Sequence, residues 1–296
     1  MSEAKHPSES DVLNAFLKMM LRVALLLLIG FVGLLAYMYL RQESFVYFPD
    51  ATIRATPQFV GLAYEDVLLK TSDGVALGAW WVPAEKARVA LVFAHGNGGN
   101  ISDRLDHLRL FNALGLSVMA FDYRGYGTSE GKPGEEGTYS DMEAAVEHVV
   151  RERGIPRARI VYHGESLGGG VAVECAVRQP PGALLLESTL TSVRDMARHH
   201  YPWLPSSLLL RIRYDSIAKL SQVHCPVLIV HSPDDDIVPF WMGEALFKAS
   251  NEPKRFARLV GYHNSGGLTV SPEAQLALGG FLDEFLADRQ AQPGSE

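Results

Sequence analysis

Cysteine is nearly missing from this 296-residue chain: Cys175 and Cys225 are the only two, too few for a disulfide framework. Lying on an apolar helical run and at the start of an apolar strand, both read as small buried hydrophobes, and the redox compartment stays open. Positive charge is scarce as well. Lys and Arg number 27 against 34 Asp and Glu, a net charge of −7, so there is no basic stripe for a nucleic-acid partner. No set of His, Cys and acidic residues has metal-ligand spacing, and no metal or cofactor is implied. Repeats and low-complexity tracts are absent too. The length suits one sizeable domain plus a small addition, because single cores stop growing near roughly 250–300 residues.

Charge disappears entirely between Arg22 and Arg41, where 18 residues are almost all apolar. With Met19 to Leu21 the run reaches about 33 Å, enough for a hydrocarbon core of about 30 Å. Tyr37 and Tyr39 stand where an interfacial aromatic belt would lie. A cleaved secretory signal would have a shorter apolar region, roughly 7–15 residues, and a small-residue cleavage site, which is not found near Leu40. The expectation is a polar, unstructured tail over 1–18, an uncleaved single-pass anchor over 19–40 that contacts membrane lipid, and a juxtamembrane segment over 41–62. Lys5, Lys18 and Arg22 precede the anchor, against Arg41 and Arg54 after it. That bias favours a cytoplasmic N-terminus with the catalytic domain on the other side.

Beyond the anchor, Ser44 to Asp50 is aromatic enough to hug the membrane surface or the domain. Tyr64–Leu69 and Val75–Val82 flank Asp73-Gly74, a hairpin signal. Apolar runs then alternate with helical ones. Strands are expected at Val89–Ala94, Ser117–Phe121, Ala158–Tyr162, Ala183–Leu186, Val227–Val230 and around Phe256–Val260. Helices are expected at Ile101–Leu114, Tyr139–Arg151, after Gly168, near Gly243–Ala249 and over Pro272–Ala287. Strands apolar throughout, alternating with helices, mean an α/β domain over 63–290 with a mainly parallel sheet covered on both faces. Ser188–Asp215 breaks the alternation beyond a strand's carboxyl end and reads as a small cap over a ligand site.

The segment His163-Gly164-Glu165-Ser166-Leu167-Gly168-Gly169-Gly170 sits between a strand and a small-residue helix, with a serine at its apex. This G-x-S-x-G arrangement pushes a serine hydroxyl clear of the sheet, with both glycines small for lack of room. With 27 glycines in the chain the bare pattern arises by chance in roughly one such chain in six, so its partners must carry the assignment. A serine hydroxyl needs a base, an acid that orients the base, and donors for the oxyanion. His263, in the loop between the last strand and the last helix, is the base candidate. Asp234, Asp235 and Asp236 follow the penultimate strand and share the acid role by charge, with Glu187 a rival. The loop His95 to Asn100 ends a buried strand, and the backbone amides of Asn97 and Leu167 are the oxyanion donors expected there. That loop lacks the Lys-Ser/Thr of a phosphate-binding P-loop.

The order serine, aspartate, histidine is that of α/β-hydrolases. From Phe45 onward the chain resembles that superfamily, and within it the membrane-anchored Bem46-like group and its relatives among mammalian α/β-hydrolase-domain proteins. Val46–Pro49, His95–Asn100, Asp122–Gly131, the elbow, Glu187-Ser188, Tyr201–Pro205 and His263-Asn264 carry the resemblance. It implies an α/β-hydrolase fold with an eight-stranded sheet and a small cap. It selects Asp235 as the acid through the family pattern His-Gly-x-x-Asp-x-x-Val/Ile-Pro, although Ser232 stands at the pattern's glycine and Tyr262 at the glycine usual before the histidine. Asp122 and Arg124 read as loop braces rather than catalytic groups. The expected activity is ester or thioester hydrolysis of lipophilic acyl substrates by Ser166, Asp235 and His263. A peptidase or amidase, or a non-catalytic scaffold at the membrane, are the alternatives.

Overall fold

A computed structural model describes residues 8–286, apart from 86 and 88. Residues 1–7 of the expected tail and Ala287 of the expected last helix lie outside them. Residues 9–18 are not unstructured: helix α1 runs Glu9–Leu40. Ser8 opens it with a capping box, its Oγ accepting from the Asp11 amide at 3.3 Å while the Asp11 carboxylate accepts from the Ser8 amide at 3.2 Å. The polar composition of the tail hides Val12, Leu13, Phe16 and Leu17, which recur at helical spacing. At 1.5 Å per residue, α1 is about 48 Å long. It buries none of its residues and is long and apolar enough to cross a membrane.

The segment after α1 lies against the domain. Tyr47 is buried with its hydroxyl 2.8 Å from that of Tyr214, and Phe48–Pro49 pairs in parallel with Gly98–Gly99. Eight strands then form one sheet: β1 Glu65–Lys70, β2 Ala76–Val82, β3 Val89–Ala94, β4 Leu116–Phe121, β5 Ile160–Glu165, β6 Ala183–Glu187, β7 Val227–His231 and β8 Lys254–Arg258. Their spatial order is 8-7-6-5-3-4-2-1, antiparallel at β1–β2 and β2–β4 and parallel elsewhere. The expected hairpin is present, with Leu69 opposite Leu77.

Helices α2 Leu105–Ala113, α3 Glu135–Arg151, α4 Leu167–Arg178, α5 Val193–His200, α6 Phe240–Ala249 and α7 Pro272–Leu286 complete the frame. Successive residues of β3 serve opposite faces, as strand geometry requires. Ala90, Val92 and Ala94 pack with Tyr162, Leu186 and Ile229 beneath α3, α4 and α6. Leu91 and Phe93 pack with Val161, Leu185 and Leu228 beneath α2 and α7. Both faces are covered, which is why every residue of β3 is buried and the strand reads as a continuous apolar run. Each such large side chain contributes about 1.5–3 kcal/mol when fully buried.

Several boundaries differ from the sequence pattern for local reasons. Strand β5 runs Ile160–Glu165 rather than Ala158–Tyr162, because Arg157–Arg159 turns as a 3-10 helix. Helix α3 starts at Glu135, four residues before its apolar face begins, with Glu135 and Glu136 in the first turn where the helix dipole favours acids. The expected helix from Ile101 opens as a 3-10 turn before α2. Strand β8 sits two residues earlier than its apolar run, because it is an edge strand in register with β7 and carries Lys254, Arg255 and Arg258.

Candidate active site

Strand β5 delivers Ser166 onto a turn with φ 54° and ψ −116°, a conformation an L-residue adopts at a cost of about 1–3 kcal/mol. The turn is held from both sides. The Ser166 amide donates to the Glu187 carbonyl at 2.8 Å, and the Gly169 amide donates to the Ser166 carbonyl at 3.1 Å. A Cβ on Gly164 would strike the backbone of Gly168 and Gly169, and one on Gly168 would strike the carbonyl oxygens of Ala94 and His95. The glycines thus let α4 start directly against the end of β3. Gly168→Ala is expected to force the two apart and cost roughly 2–3 kcal/mol by overpacking. Thermal unfolding checks this against Gly279→Ala, where a Cβ meets nothing within 4 Å and only helix propensity changes. Equal melting temperatures for the two variants would show that the close approach is not needed.

His263 brings its Nε2 to 3.1 Å from Ser166 Oγ and its Nδ1 to 2.8 Å from Asp235 Oδ2. Of the three adjacent aspartates, Asp235 is thus the one that engages the imidazole. Its other oxygen accepts from the Ile237 and Val238 amides at 3.0 and 2.8 Å, which fixes the carboxylate in its loop. Asp236 instead accepts from the His263 backbone amide at 3.1 Å. Asp234 is exposed. The two departures from the family pattern have structural explanations. The Ser232 hydroxyl donates to the Gly261 carbonyl at 2.6 Å and so ties the acid loop to the histidine loop. Gly261, at φ +86°, supplies the left-handed position one residue before the exposed Tyr262.

The electrostatics follow from this packing. Burial works against charge on Asp235, yet hydrogen bonds from His231 and His263 outweigh it and hold the carboxyl well below the usual range. Fully buried His231 stands behind it, with Nε2 donating to the Val238 carbonyl at 2.9 Å and 3.5 Å from Asp235 Oδ2. Burial alone lowers the His263 pKa, but the Asp235 carboxylate more than reverses this and raises it above its ordinary value.

Glu187 does not reach this imidazole. Its Oε2 lies 3.2 Å from His107 Nε2 and 3.1 Å from His163 Nε2, and its Oε1 accepts from the Leu268 amide at 2.7 Å. Burial raises its pKa, but the two imidazoles hold it well below the usual carboxylate range. Glu187 therefore grips the elbow through its carbonyl and the chain after His263 through its carboxylate.

The loop expected to supply oxyanion donors leaves β3 beside the elbow, since Ala94 pairs with Gly164. Leu167 opens α4, so its amide has no intrahelical acceptor. Tyr126 donates to the Asn97 carbonyl and Tyr123 to the His95 carbonyl, each at 2.8 Å. Sequence reasoning missed a third brace. Glu165, the variable residue of the serine motif, accepts from the Gly96 amide at 3.1 Å and from Arg104 Nε at 2.7 Å. Only the pairing of β3 with β5 brings these residues together, and no local pattern announces it. Asp122 and Arg124 are braces, as expected. Asp122 accepts from the Ile101 amide, and Arg124 bridges Asp141 and Asp73.

The chain is similar to known proteins along most of this frame. A family model described as serine aminopeptidase, S33, matches residues 85–221. An uncharacterized protein of Mycobacterium tuberculosis is 40% identical over 255 residues, covering 85% of this chain and 91% of that protein. Protein bem46 of Schizosaccharomyces pombe is 32% identical over 222 residues, 69% of this chain and 73% of that protein. The lysophosphatidylserine lipase ABHD12 of Danio rerio is 31% identical over 255 residues, 71% of this chain and 65% of that protein. Among solved structures, an esterase of Pyrococcus furiosus superposes with a TM-score of 0.67 at 20% identity, covering 81% of this chain and 98% of the esterase, a likeness of fold.

Proposed function

We propose that this chain, which belongs to the α/β-hydrolase family that includes bem46, is a serine hydrolase held at a membrane by α1, cleaving ester or thioester bonds of lipophilic acyl substrates through an acyl-enzyme. One observation carries the reading: Ser166 Oγ, His263 Nε2, His263 Nδ1 and Asp235 Oδ2 form a continuous hydrogen-bonded line with steps of 3.1 and 2.8 Å. Asp235, as a carboxylate, can only accept, so Nδ1 carries the ring proton and Nε2 is free to take that of Ser166. Oγ attacks the acyl carbonyl while His263 receives its proton. The cation so formed is stabilised by Asp235, and the developing oxyanion by the Asn97 and Leu167 amides. His263 returns the proton to the leaving alcohol or thiol. Water then repeats the sequence on the acyl-Ser166 ester and frees the acid.

The lipase name of one relative and the esterase fold of another favour acyl esters. The description of the matched family favours a second reading, peptide amides, which the same line of groups serves. A fluorophosphonate probe tests the common core of both. The full chain in detergent is expected to label covalently and Ser166→Ala to remain unlabelled. A folded wild-type chain that does not react would leave a non-catalytic scaffold as the better reading. Rates on matched acyl esters, thioesters and peptide amides then rank the chemistries.

A further inference from the structure

The cap is fastened to the root of the apolar helix. Gln42, only 4% exposed although it stands just past the end of α1, donates from Nε2 to the Leu209 carbonyl at 3.0 Å. Its Oε1 accepts from the Arg211 and Ile212 amides, each at 2.7 Å. Arg211 adds a hydrogen bond to the Tyr39 carbonyl, an ion pair with Glu43 at 3.1 Å, and a stack over the Tyr39 ring at 5.0 Å. At its other end the cap rests on the acid loop, where His200 Nε2 donates to the Ile237 carbonyl at 2.8 Å, two residues from Asp235. The cap is therefore one body with the helix root on one side and the Asp235 loop on the other.

Around the His200 fastening, residues 198–203 (Arg-His-His-Tyr-Pro-Trp) are exposed without interruption, with Tyr201 53% and Trp203 54% accessible. Amphipathic Tyr and Trp side chains favour the headgroup level of a bilayer. The charge agrees. Residues 188–215 hold Arg194, Arg198, Arg211 and Arg213 against Asp195 and Asp215, a basic segment in a chain of net charge −7. Basic side chains gain attraction at an anionic lipid surface, whereas the acidic remainder of the chain is repelled.

We infer that the cap tip, through Tyr201, Trp203 and Arg198, docks on an anionic lipid bilayer and so presents the Ser166 site to acyl lipids held in that bilayer. The inference rests on the proposal that α1 is a membrane anchor. Gln42 ties the cap to the root of α1 in this arrangement.

Tryptophan fluorescence of the full chain in vesicles of phosphatidylcholine and phosphatidylserine with brominated acyl chains tests it. The difference between wild type and Trp203→Phe isolates the Trp203 signal. That signal is expected to be quenched by bromine, and Arg198→Gln to weaken docking on the anionic vesicles about fivefold. Tyr201→Ala with Trp203→Ala is expected to leave hydrolysis of a soluble short-chain ester unchanged while slowing that of a bilayer-borne long-chain ester. A chain that floats with the vesicles while Trp203 stays unquenched and open to acrylamide overturns the docked cap and leaves the anchor standing. Shielding from acrylamide without bromine quenching means a second copy covers the tip, which also overturns it. A chain that does not float with the vesicles defeats the anchor and the docked cap together.

Discussion

Ser166→Ala and His263→Ala are each expected to lower the hydrolysis rate by about 10⁶-fold, and the double variant to lose no more than either alone. The reason is geometric. Oγ and Nε2 are 3.1 Å apart and perform a single step, in which the bond to carbon forms as the proton leaves. Removing the imidazole leaves a hydroxyl that ionises too rarely to attack, and removing the hydroxyl leaves a base with nothing to activate. Losses that act on one step do not multiply. The residual rate, roughly 10³–10⁴ over water, is what donors and binding alone supply. The measurement is single-turnover hydrolysis of the fastest ester by the full chain, with thermal unfolding run alongside on all three variants. A double variant slower than both single ones by a further large factor would mean that Ser166 and His263 act independently, against the proposed relay.

Much of the fold was open to sequence reasoning because both faces of the sheet are covered. Burial on two sides forces long apolar runs such as Val89–Ala94, and those runs mark the strands directly. The edge strand β8 is harder to place for the complementary reason, since exposure thins its apolar signature, while at the start of α1 the apolar spacing is present but diluted by polar neighbours. At the site, the serine turn is local in sequence and legible from its glycines. Asp235 is different. Three neighbouring aspartates offer the same charge, and only the resemblance to a family, then the 2.8 Å contact with His263, separates them. Glu165 and Arg104 left no trace, because their interaction exists only once β3 lies beside β5.

Glu187 has the position of a rival acid but a different direction. It ends β6 beside the elbow, where an acid could serve a histidine, and it does serve two. Those two are His163, which is buried, and His107, which is partly exposed, and neither is the imidazole that meets Ser166. The carboxylate meanwhile holds the Leu268 amide, and its own backbone holds Ser166. One residue thereby fixes the spacing between the elbow and the segment that follows the base. Its loss would loosen the chain at Leu268 without touching the imidazole, whereas the loss of Asp235 is expected to change the protonation of His263.

That difference makes Asp235→Asn the sharpest test of the acid. The substitution keeps the shape but replaces an acceptor with an amide able to donate to Nδ1, which favours the imidazole tautomer whose Nε2 carries the proton. The base is then blocked, and turnover is expected to fall by about 10⁴-fold, as tautomer reversal does in other serine hydrolases. Asp234→Asn, at an exposed residue, should change the rate little. The pH profile adds a signature with a defined sign. Activity requires neutral His263, so in the wild type it falls as pH drops through a pKa that Asp235 holds above the ordinary histidine value. Without that carboxylate the residual activity should persist to lower pH, the acidic limb moving down. Glu187→Gln leaves the Asp235–His263 pair intact, so its acidic limb should stay where it is, whatever the rate. A wild-type rate in Asp235→Asn, or an acidic limb displaced by Glu187→Gln and not by Asp235→Asn, would transfer the orienting role to Glu187.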